Sequence, residues 1–297
     1  MTDSARRPAT FLLVVLSAIL LASTARFIAP SGVAGVTTLD PTTTGGGDGA
    51  AVSTGTASAA TASMGLAVLT WMNRDRSALG LRPLRRDRTL GSLATDRAAR
   101  LAGLGILTHE LAGIDIGASL DARGVRWFRF AEDIGMTSAP WGTSAANSLY
   151  QLWKASPAHW AEITSGQLNY FGIAFAYRPE NGATYASIVF TESPDHTAPV
   201  ALMMSAQAVP SSGATAAVYT WRGSDPLLQT HTAGLLDFDL QYRLDGGEWR
   251  TLRDTTTTTS LTLKRRPPGH SYWVRVRGRD RRGNVSGWSR AMRVVVR

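Results

Sequence analysis

The chain has 297 residues, enough for about two domains of ordinary size. Hydrophobic residues make up 44% of it and nine are tryptophan, so a packed core is expected in at least part of the chain. The absence of cysteine excludes disulfide bonds, thiolate zinc sites and a cysteine nucleophile. The net charge is +9, and it is uneven: residues 197–297 hold 15 basic and 7 acidic residues (+8), whereas residues 1–196 hold 16 and 15 (+1). A basic C-terminal part favours anionic partners such as cell-wall polymers or lipid head groups.

Residues 1–25 are typical of an export signal. Arg6 and Arg7 give a basic start, residues 11–22 form an apolar run, and small residues follow at 23–25. An apolar run of this length makes about 18 Å of helix, short of the ~20 residues that a membrane-spanning helix needs. An uncleaved membrane anchor is the alternative. Under both interpretations the rest of the chain lies outside the cytoplasm, where nucleic acid is not an expected partner.

Residues 26–63 consist mostly of Thr, Ser, Gly and Ala. Such side chains bury too little apolar surface to offset the entropy lost on ordering. The composition therefore predicts a flexible linker.

Residues 64–195 show a pattern of helices followed by strands. Helical spacing begins near Met64, and a second amphipathic helix covers residues 90–104, with Gly105 after it. In the first helix, Leu66, Leu69, Thr70 and Asn73 are expected to share the inner face.

The rest of this domain is a glycine-rich stretch, a helix and a hairpin. Residues 110–146 are expected to be largely irregular, and residues 144–155 form a further predicted helix. Two strands with alternating side chains, 170–177 and 184–190, are joined by the turn signal Asn181-Gly182. Helices first and antiparallel strands afterwards predict an α+β domain.

Residues 197–297 show no helical periodicity. Short strands separated by turns are predicted at 217–221, 237–244, 249–252, 260–263, 271–277 and 290–296. This spacing is typical of an all-β sandwich.

Three polar residues of the first domain are candidates for a common site. His109 follows the second helix, Glu132 lies in the glycine-rich stretch, and His159 comes just after the helix-breaking Ser156-Pro157. We expect their side chains to line one cleft. Two interpretations stay open. In one, His109 and His159 bind a divalent metal such as zinc and Glu132 is a third ligand or the base acting on a bound water. In the other, the three form a hydrogen-bond network that fixes residues 110–146.

Residues 69–193 resemble the CAP superfamily (cysteine-rich secretory proteins, antigen 5 and pathogenesis-related proteins) in its cysteine-free bacterial form. The motifs that carry the resemblance are residues 73–84 (NRDRSALGLRPL), 94–102, His109, Glu132-Asp133-Ile134 (usually Glu-Asn-Ile in the family), 153–159 and Gly172-Ile173. The resemblance implies an α-β-α sandwich whose cleft holds two His and two acidic residues and can bind a divalent metal through the His.

His109, Glu132 and His159 match that set, and the second acid has no clear counterpart. Glu162 is the nearest candidate, and Asp133 adds a negative charge where the family usually has Asn.

Residues 197–297 resemble a bacterial fibronectin type III-like module, an immunoglobulin-like all-β sandwich. The motifs that carry this resemblance are residues 219–225, 242–249, 269–280 and 283–289. It implies a fold and almost nothing about function.

The whole sequence predicts a secreted or envelope-tethered bacterial binding protein. Its cleft is expected to take a small lipid-like or glycan ligand, and its second domain to act as a spacer or adhesive arm. One alternative is a metal-assisted hydrolase of cell-wall glycan or peptide, with Glu132 as the catalytic base. A second alternative is a structural protein of the envelope.

Overall fold

The computed structural model describes residues 49–211 and 214–297, with side chains from residue 59 onward. The predicted signal segment and residues 26–48 of the predicted linker lie outside this part of the chain. None of the described helices has the length and apolar character that a membrane span requires.

The first helix, α1 (Gly49–Ala78), begins inside the predicted linker, so that prediction is wrong for residues 49–63. This stretch is rich in alanine, the best helix former, and it continues directly into a packed segment. The buried face is also different from the predicted one. Met64, Val68, Met72 and Arg76 are buried at four-residue spacing, while Leu66 is 60% exposed.

The first domain contains a four-stranded sheet: β1 (Arg85–Arg86), β2 (Arg129–Thr137), β3 (Tyr170–Arg178) and β4 (Ala183–Glu192). The strand order is β1-β3-β4-β2, with β1 parallel to β3 and the other pairs antiparallel. The predicted hairpin β3–β4 is confirmed, and Gly182 takes the left-handed conformation in its turn (φ 63°).

Strand β2 lies within the stretch predicted to be irregular. Its backbone is ordered by pairing with β4, which brings Glu132 opposite Val189. This pairing depends on a strand that is distant in sequence, with Glu132 and Val189 separated by 57 positions (189 − 132), and the residues of β2 show no clear alternation of their own.

Helices cover both faces of this sheet. Helices α2 (Arg88–Leu104) and α3 (Ile116–Ala122) pack on one face, and α1, α4 (Thr143–Ala155) and α5 (Pro157–Ile163) pack on the other. Helix α2 is capped by Asp87, whose side chain accepts from the backbone N–H of Leu90. The result is a three-layer α-β-α arrangement in an α+β domain.

The C-terminal part is all β, as predicted. Its strands are β5 (Val200–Ser211), β6 (Ala214–Ser224), β7 (Leu235–Leu244), β8 (Arg250–Thr256), β9 (Ser260–Arg266), β10 (Ser271–Asp280) and β11 (Met292–Val295). They form two sheets, β11-β10-β7-β8 and β5-β6-β9. Strand β5 was not predicted, because it has few β-branched residues and contains Pro210, which an edge strand tolerates.

The loop between β6 and β7 docks onto the first domain. Leu228 is buried in the core beneath α2 and α3, and the Gln229 side chain accepts from the backbone N–H of Arg82 at 2.8 Å. The His231 ring stacks on Phe128 with ring centroids 4.5 Å apart. His231 therefore contacts the first domain as well as its own module.

Candidate functional site

His109 and Glu132 are in direct contact. His109 lies in the loop after α2, and its Nδ1 is 2.9 Å from Oε2 of Glu132 on β2. Because an ionised carboxylate only accepts hydrogen bonds, the imidazole donates from Nδ1–H, and its Nε2 takes no part in this bond. The His109 side chain is 38% exposed and that of Glu132 only 2%. The imidazole is therefore the accessible member of the pair, and the carboxylate is its buried support.

Both oxygens of Glu132 are fully used. Oε1 accepts from Arg97 Nε and from Ser187 Oγ (2.8 Å), and Oε2 accepts from Arg97 Nη2 (2.6 Å) as well as from His109. The same guanidinium donates to the backbone carbonyls of Ile114 (2.6 Å) and His109 (2.8 Å). A carboxylate whose oxygens accept from four donors has little room to join a metal ion. Its evident task here is to orient His109.

Arg97 and Ser187 were missed in the sequence, although Arg97 carried a signal. Position 97 lies four residues from both Leu93 and Leu101, on the apolar face of α2. A charged residue on such a face indicates a buried, paired charge. Ser187 lies in an apolar strand and has no charge to neutralise, so it gave no comparable signal.

His159 lies on α5 and is half-buried. Its Nδ1 is buried without a hydrogen-bond partner among the described residues. Burial and the charge of nearby His109 lower the pKa of His159, which favours its neutral form. The structure thus joins His109 directly to Glu132. No hydrogen bond links His159 to either of them in the described part of the chain.

Asp133 points to the opposite face of the sheet from Glu132, because successive strand residues alternate. It is fully buried, and neither carboxyl oxygen has a hydrogen-bond partner within the described chain. Burial, together with the charges of Glu162 and Glu132, raises the pKa of Asp133 well above its usual range. Burial therefore disfavours the negative charge that the sequence suggests at this position, and the alternation along β2 turns Asp133 away from Glu132. Burial also raises the pKa of Glu162, the candidate for the second acid.

Within the described residues, only one group of three or more potential metal ligands has all its ligand atoms within 4.8 Å of one another. It consists of Asp195, Asp225 and Asp280, at the junction of the two domains. His109, Glu132 and His159 do not form such a three-ligand group. Asp195 accepts from the backbone N–H groups of Thr197 and Ala233, and Asp280 accepts from those of Arg282 and Asn284.

A depression of about 740 Å³ lies beside α2 and α3. It is lined by Asp96, Arg100, Ile114 and Arg123 among others, and by none of the three predicted site residues. We place the candidate site at His109 instead, because polar groups converge there and the depression is only a surface hollow.

Comparison with known proteins identifies the class of the first domain. The model of the cysteine-rich secretory protein family (CAP) matches residues 69–191, in agreement with the resemblance seen in the sequence. No protein with a curated description is similar enough in sequence to match the chain.

Solved structures similar to this chain include an outer surface protein from Borrelia burgdorferi (18% identity, TM-score 0.38, 42% of this chain and 89% of that chain). Another is an extracellular protein containing a SCP domain from Bacillus anthracis (16% identity, TM-score 0.37, 45% of this chain and 41% of that chain). An Fn3-like protein from Clostridium thermocellum is also similar (19% identity, TM-score 0.25, 34% of this chain and 96% of that chain). At these scores we draw nothing from the three structures about function. The residues that match the family model contain no cysteine.

Proposed function

We propose that this protein is an exported CAP-domain binding protein whose cleft takes a small amphipathic ligand. In this proposal the polar end of the ligand contacts His109 and His159, and Glu132 orients His109 without touching the ligand. The C-terminal sandwich is a fibronectin type III-like arm that holds the CAP domain at the cell envelope.

The observation that carries the proposal is the commitment of Glu132 to Arg97. With both carboxylate oxygens occupied, the group that is free to meet a ligand is the Nε2 of His109. A neutral imidazole nitrogen accepts a hydrogen bond from a hydroxyl or an amide. This is the chemistry of recognition, and it requires no general base.

Apolar residues beside His109 favour an amphipathic ligand. Ile106 and Leu107, three and two residues before it, are 48% and 46% exposed, and Leu104 is also exposed. Single exposed apolar residues are ordinary, but several next to a polar pair offer a surface for a hydrocarbon chain.

The proposal can be tested with a fluorescent fatty acid titrated into the full chain. We expect saturable binding that weakens at least about tenfold in the double variant Ile106→Ser/Leu107→Ser, since two buried apolar contacts contribute a few kcal/mol. A matched control is Leu66→Ser/Leu79→Ser, which removes two equally exposed apolar residues from α1 and the turn after it. Non-saturable binding, or equal losses in both double variants, would rule out the proposed cleft.

The alternative is a metal-assisted hydrolase of cell-wall glycan or peptide. It is supported by the Glu132–His109 pair, since a carboxylate commonly orients a metal-binding histidine in this way. His109 and His159 would supply two ligands to a zinc ion, fewer than the three protein ligands of most catalytic sites. A purely structural role in the envelope predicts that Glu132→Gln changes stability and leaves fatty-acid binding unaltered.

A further inference from the structure

Three tryptophans and four arginines alternate across one face of the C-terminal sandwich, and we call this set the Trp–Arg ladder. Its order is Arg293, Trp273, Arg243, Trp249, Arg275, Trp288 and Arg277. Each guanidinium carbon lies between 4.1 and 5.7 Å from the centre of its neighbouring indole ring. Contacts at this distance are cation–π interactions.

The ladder lies on the outer face of its sheet. On β10, Trp273, Arg275 and Arg277 alternate with Val274 and Val276, which are fully buried in the sandwich core. The ladder residues on β10 are half-buried, as expected for side chains that cover the outside of a strand. Residues from three neighbouring strands meet here, because Trp273 pairs with Arg243 of β7 on one side and with Arg293 of β11 on the other.

Three of the four guanidinium groups of the ladder make no direct ion pair among the described residues, although Asp245 lies near enough for its carboxylate to interact with the charge of Arg293. Arg277 pairs with Asp239 at 3.0 Å, but among the described residues no carboxylate forms an ion pair with Arg243, Arg275 or Arg293. Arg275 donates only to the Gln241 amide and Arg293 only to the Ser271 hydroxyl. The Arg243 Nε is buried without a partner in the described structure.

The positive charges of the ladder repel one another around Arg275. Burial and the positive charges of Arg243 and Arg277 lower the pKa of Arg275. An anion placed over this row would relieve that repulsion, and planar guanidinium groups match phosphate oxygens in pairs.

The arrangement also restricts the kind of anion. Every indole of the ladder contacts two guanidinium groups, so its faces offer little room for stacking by nucleic-acid bases or sugar rings. An anion would therefore be bound by the N–H groups at the edges of the guanidinium planes. Arg243 on β7 pairs with Trp273, so Arg275, two residues further along β10, is its diagonal neighbour at about 7–8 Å, a separation that suits charges repeated along a thin, flexible chain.

We propose that the Trp–Arg ladder binds a linear polyol-phosphate polymer, a chain of short polyols joined by phosphodiesters, through Arg243, Arg275 and Arg293. This site is separate from the CAP cleft and does not depend on the function proposed for it. The tryptophans hold the guanidinium groups in place, and the phosphodiesters supply the missing negative charge.

The test is binding of synthetic poly(glycerol phosphate) to the full chain, measured by calorimetry at low and moderate salt. We expect Arg243→Gln/Arg275→Gln to lose at least about tenfold in affinity and to show a flatter salt dependence, because fewer counterions are released. The matched control is Arg281→Gln/Arg282→Gln, which removes the same charge from an exposed turn without tryptophan contacts and should lose less than about twofold. The cleft variant His109→Ala should bind this polymer as the wild type does.

Several results would overturn the proposal. They are equal losses in both double variants, no measurable binding by the wild type, or tighter binding of polygalacturonate, oligothymidylate or phosphatidylglycerol vesicles than of the polyol phosphate. Should the glutamine variant unfold, Arg243→Lys/Arg275→Lys keeps the charge and removes the planar fork. The lysine variant should bind poly(glycerol phosphate) several-fold more weakly than the wild type does. If it binds as tightly as the wild type, the ladder is not the binding site.

Discussion

Arg97 and Glu132, 35 residues apart in sequence, form a buried bidentate ion pair that ties helix α2 to strand β2. Their side chains are 0% and 2% exposed. The same pair fixes His109 at two points, because Arg97 binds the His109 carbonyl and Glu132 binds its imidazole. The geometry of the candidate cleft therefore depends on a residue that never reaches the ligand side.

Removing the arginine should be costly. We expect Arg97→Met to lower the free energy of unfolding by about 3–5 kcal/mol, because it leaves the Glu132 carboxylate buried without its counter-charge. Urea denaturation followed by tryptophan fluorescence measures this loss. Arg100→Met, on the exposed side of the same helix, is the control and should change stability by less than about 0.5 kcal/mol.

The two partners should also be strongly coupled. In Arg97→Met/Glu132→Gln the combined loss should be smaller than the sum of the single losses by about 1–3 kcal/mol, the usual range for residues in one network. Additive losses would mean that the ion pair contributes little and that some other contact orients His109.

Gly172 on β3 shows how closely α2 approaches the sheet. A Cβ atom at this position would come within 2.1 Å of the backbone of Leu90 and Gly91. Backbone cannot move aside as a side-chain end can, so Gly172→Ala should destabilise the protein by about 3 kcal/mol or more, the upper part of the range for overpacking. Gly103→Ala in α2 meets nothing within 4 Å and should instead stabilise by about 0.5–1 kcal/mol. Thermal unfolding of both variants measures these changes in stability. A Gly172→Ala variant as stable as the wild type would contradict the close packing of α2 on β3.

The pH dependence of stability should reveal Asp133. Its pKa is raised in the folded protein by burial and by two neighbouring carboxylates, so the folded state holds the proton more tightly than the unfolded chain does. Stability should therefore fall as the pH rises above the ordinary carboxyl pKa of about 4, until the pKa of the folded state is passed. Asp133→Asn removes this titration, so the variant should be more stable than the wild type at pH 7 and the two should converge near pH 4.

The matched control for that experiment is Asp254→Asn, at an exposed position of the second domain. It should leave the pH profile unchanged. A profile for Asp133→Asn that still declines like that of the wild type would show that another group causes the decline.

Local sequence patterns predicted the helices and the hairpin better than the parts that depend on distant partners. Helix α2 could be predicted because its apolar spacing, its Asp87 cap and Gly105 all lie within one segment. Strand β2 could not, because its hydrogen bonds come from β4 and its own residues show no clear alternation. The buried face of α1 was predicted wrongly for a similar reason. Met64, Val68 and Met72 pack against the sheet and α4, whereas Leu66 faces solvent, and this depends on elements far away in sequence.

For the site, the family resemblance supplied His109, Glu132 and His159, and the residue chemistry alone could not assign their roles. The spacing of these residues does not reveal that Arg97 saturates Glu132, because that contact crosses from helix to sheet. Likewise the alternation of Trp and Arg on β10 became recognisable as a ladder only when the neighbouring strands were aligned with it.

Zinc titration separates the binding proposal from the hydrolase alternative. Because only two imidazoles are available at the cleft and Glu132 is committed to Arg97, we expect no saturable heat from the cleft at micromolar zinc. Saturable binding of one equivalent that is lost in both His109→Ala and His159→Ala, and kept in the exposed-site control His270→Ala, would contradict this expectation and favour the hydrolase.

A second control is needed in the same titration because Asp195, Asp225 and Asp280 lie close together at the domain junction. Heat that disappears in Asp225→Asn and persists in His109→Ala would come from those carboxylates and would say nothing about the cleft. The hydrolase alternative therefore requires that binding fail in the two cleft variants and survive in Asp225→Asn. If zinc binding does not follow this pattern across the variants, the results favour the binding proposal, in which the imidazole of His109 is oriented by Glu132 and recognises a ligand.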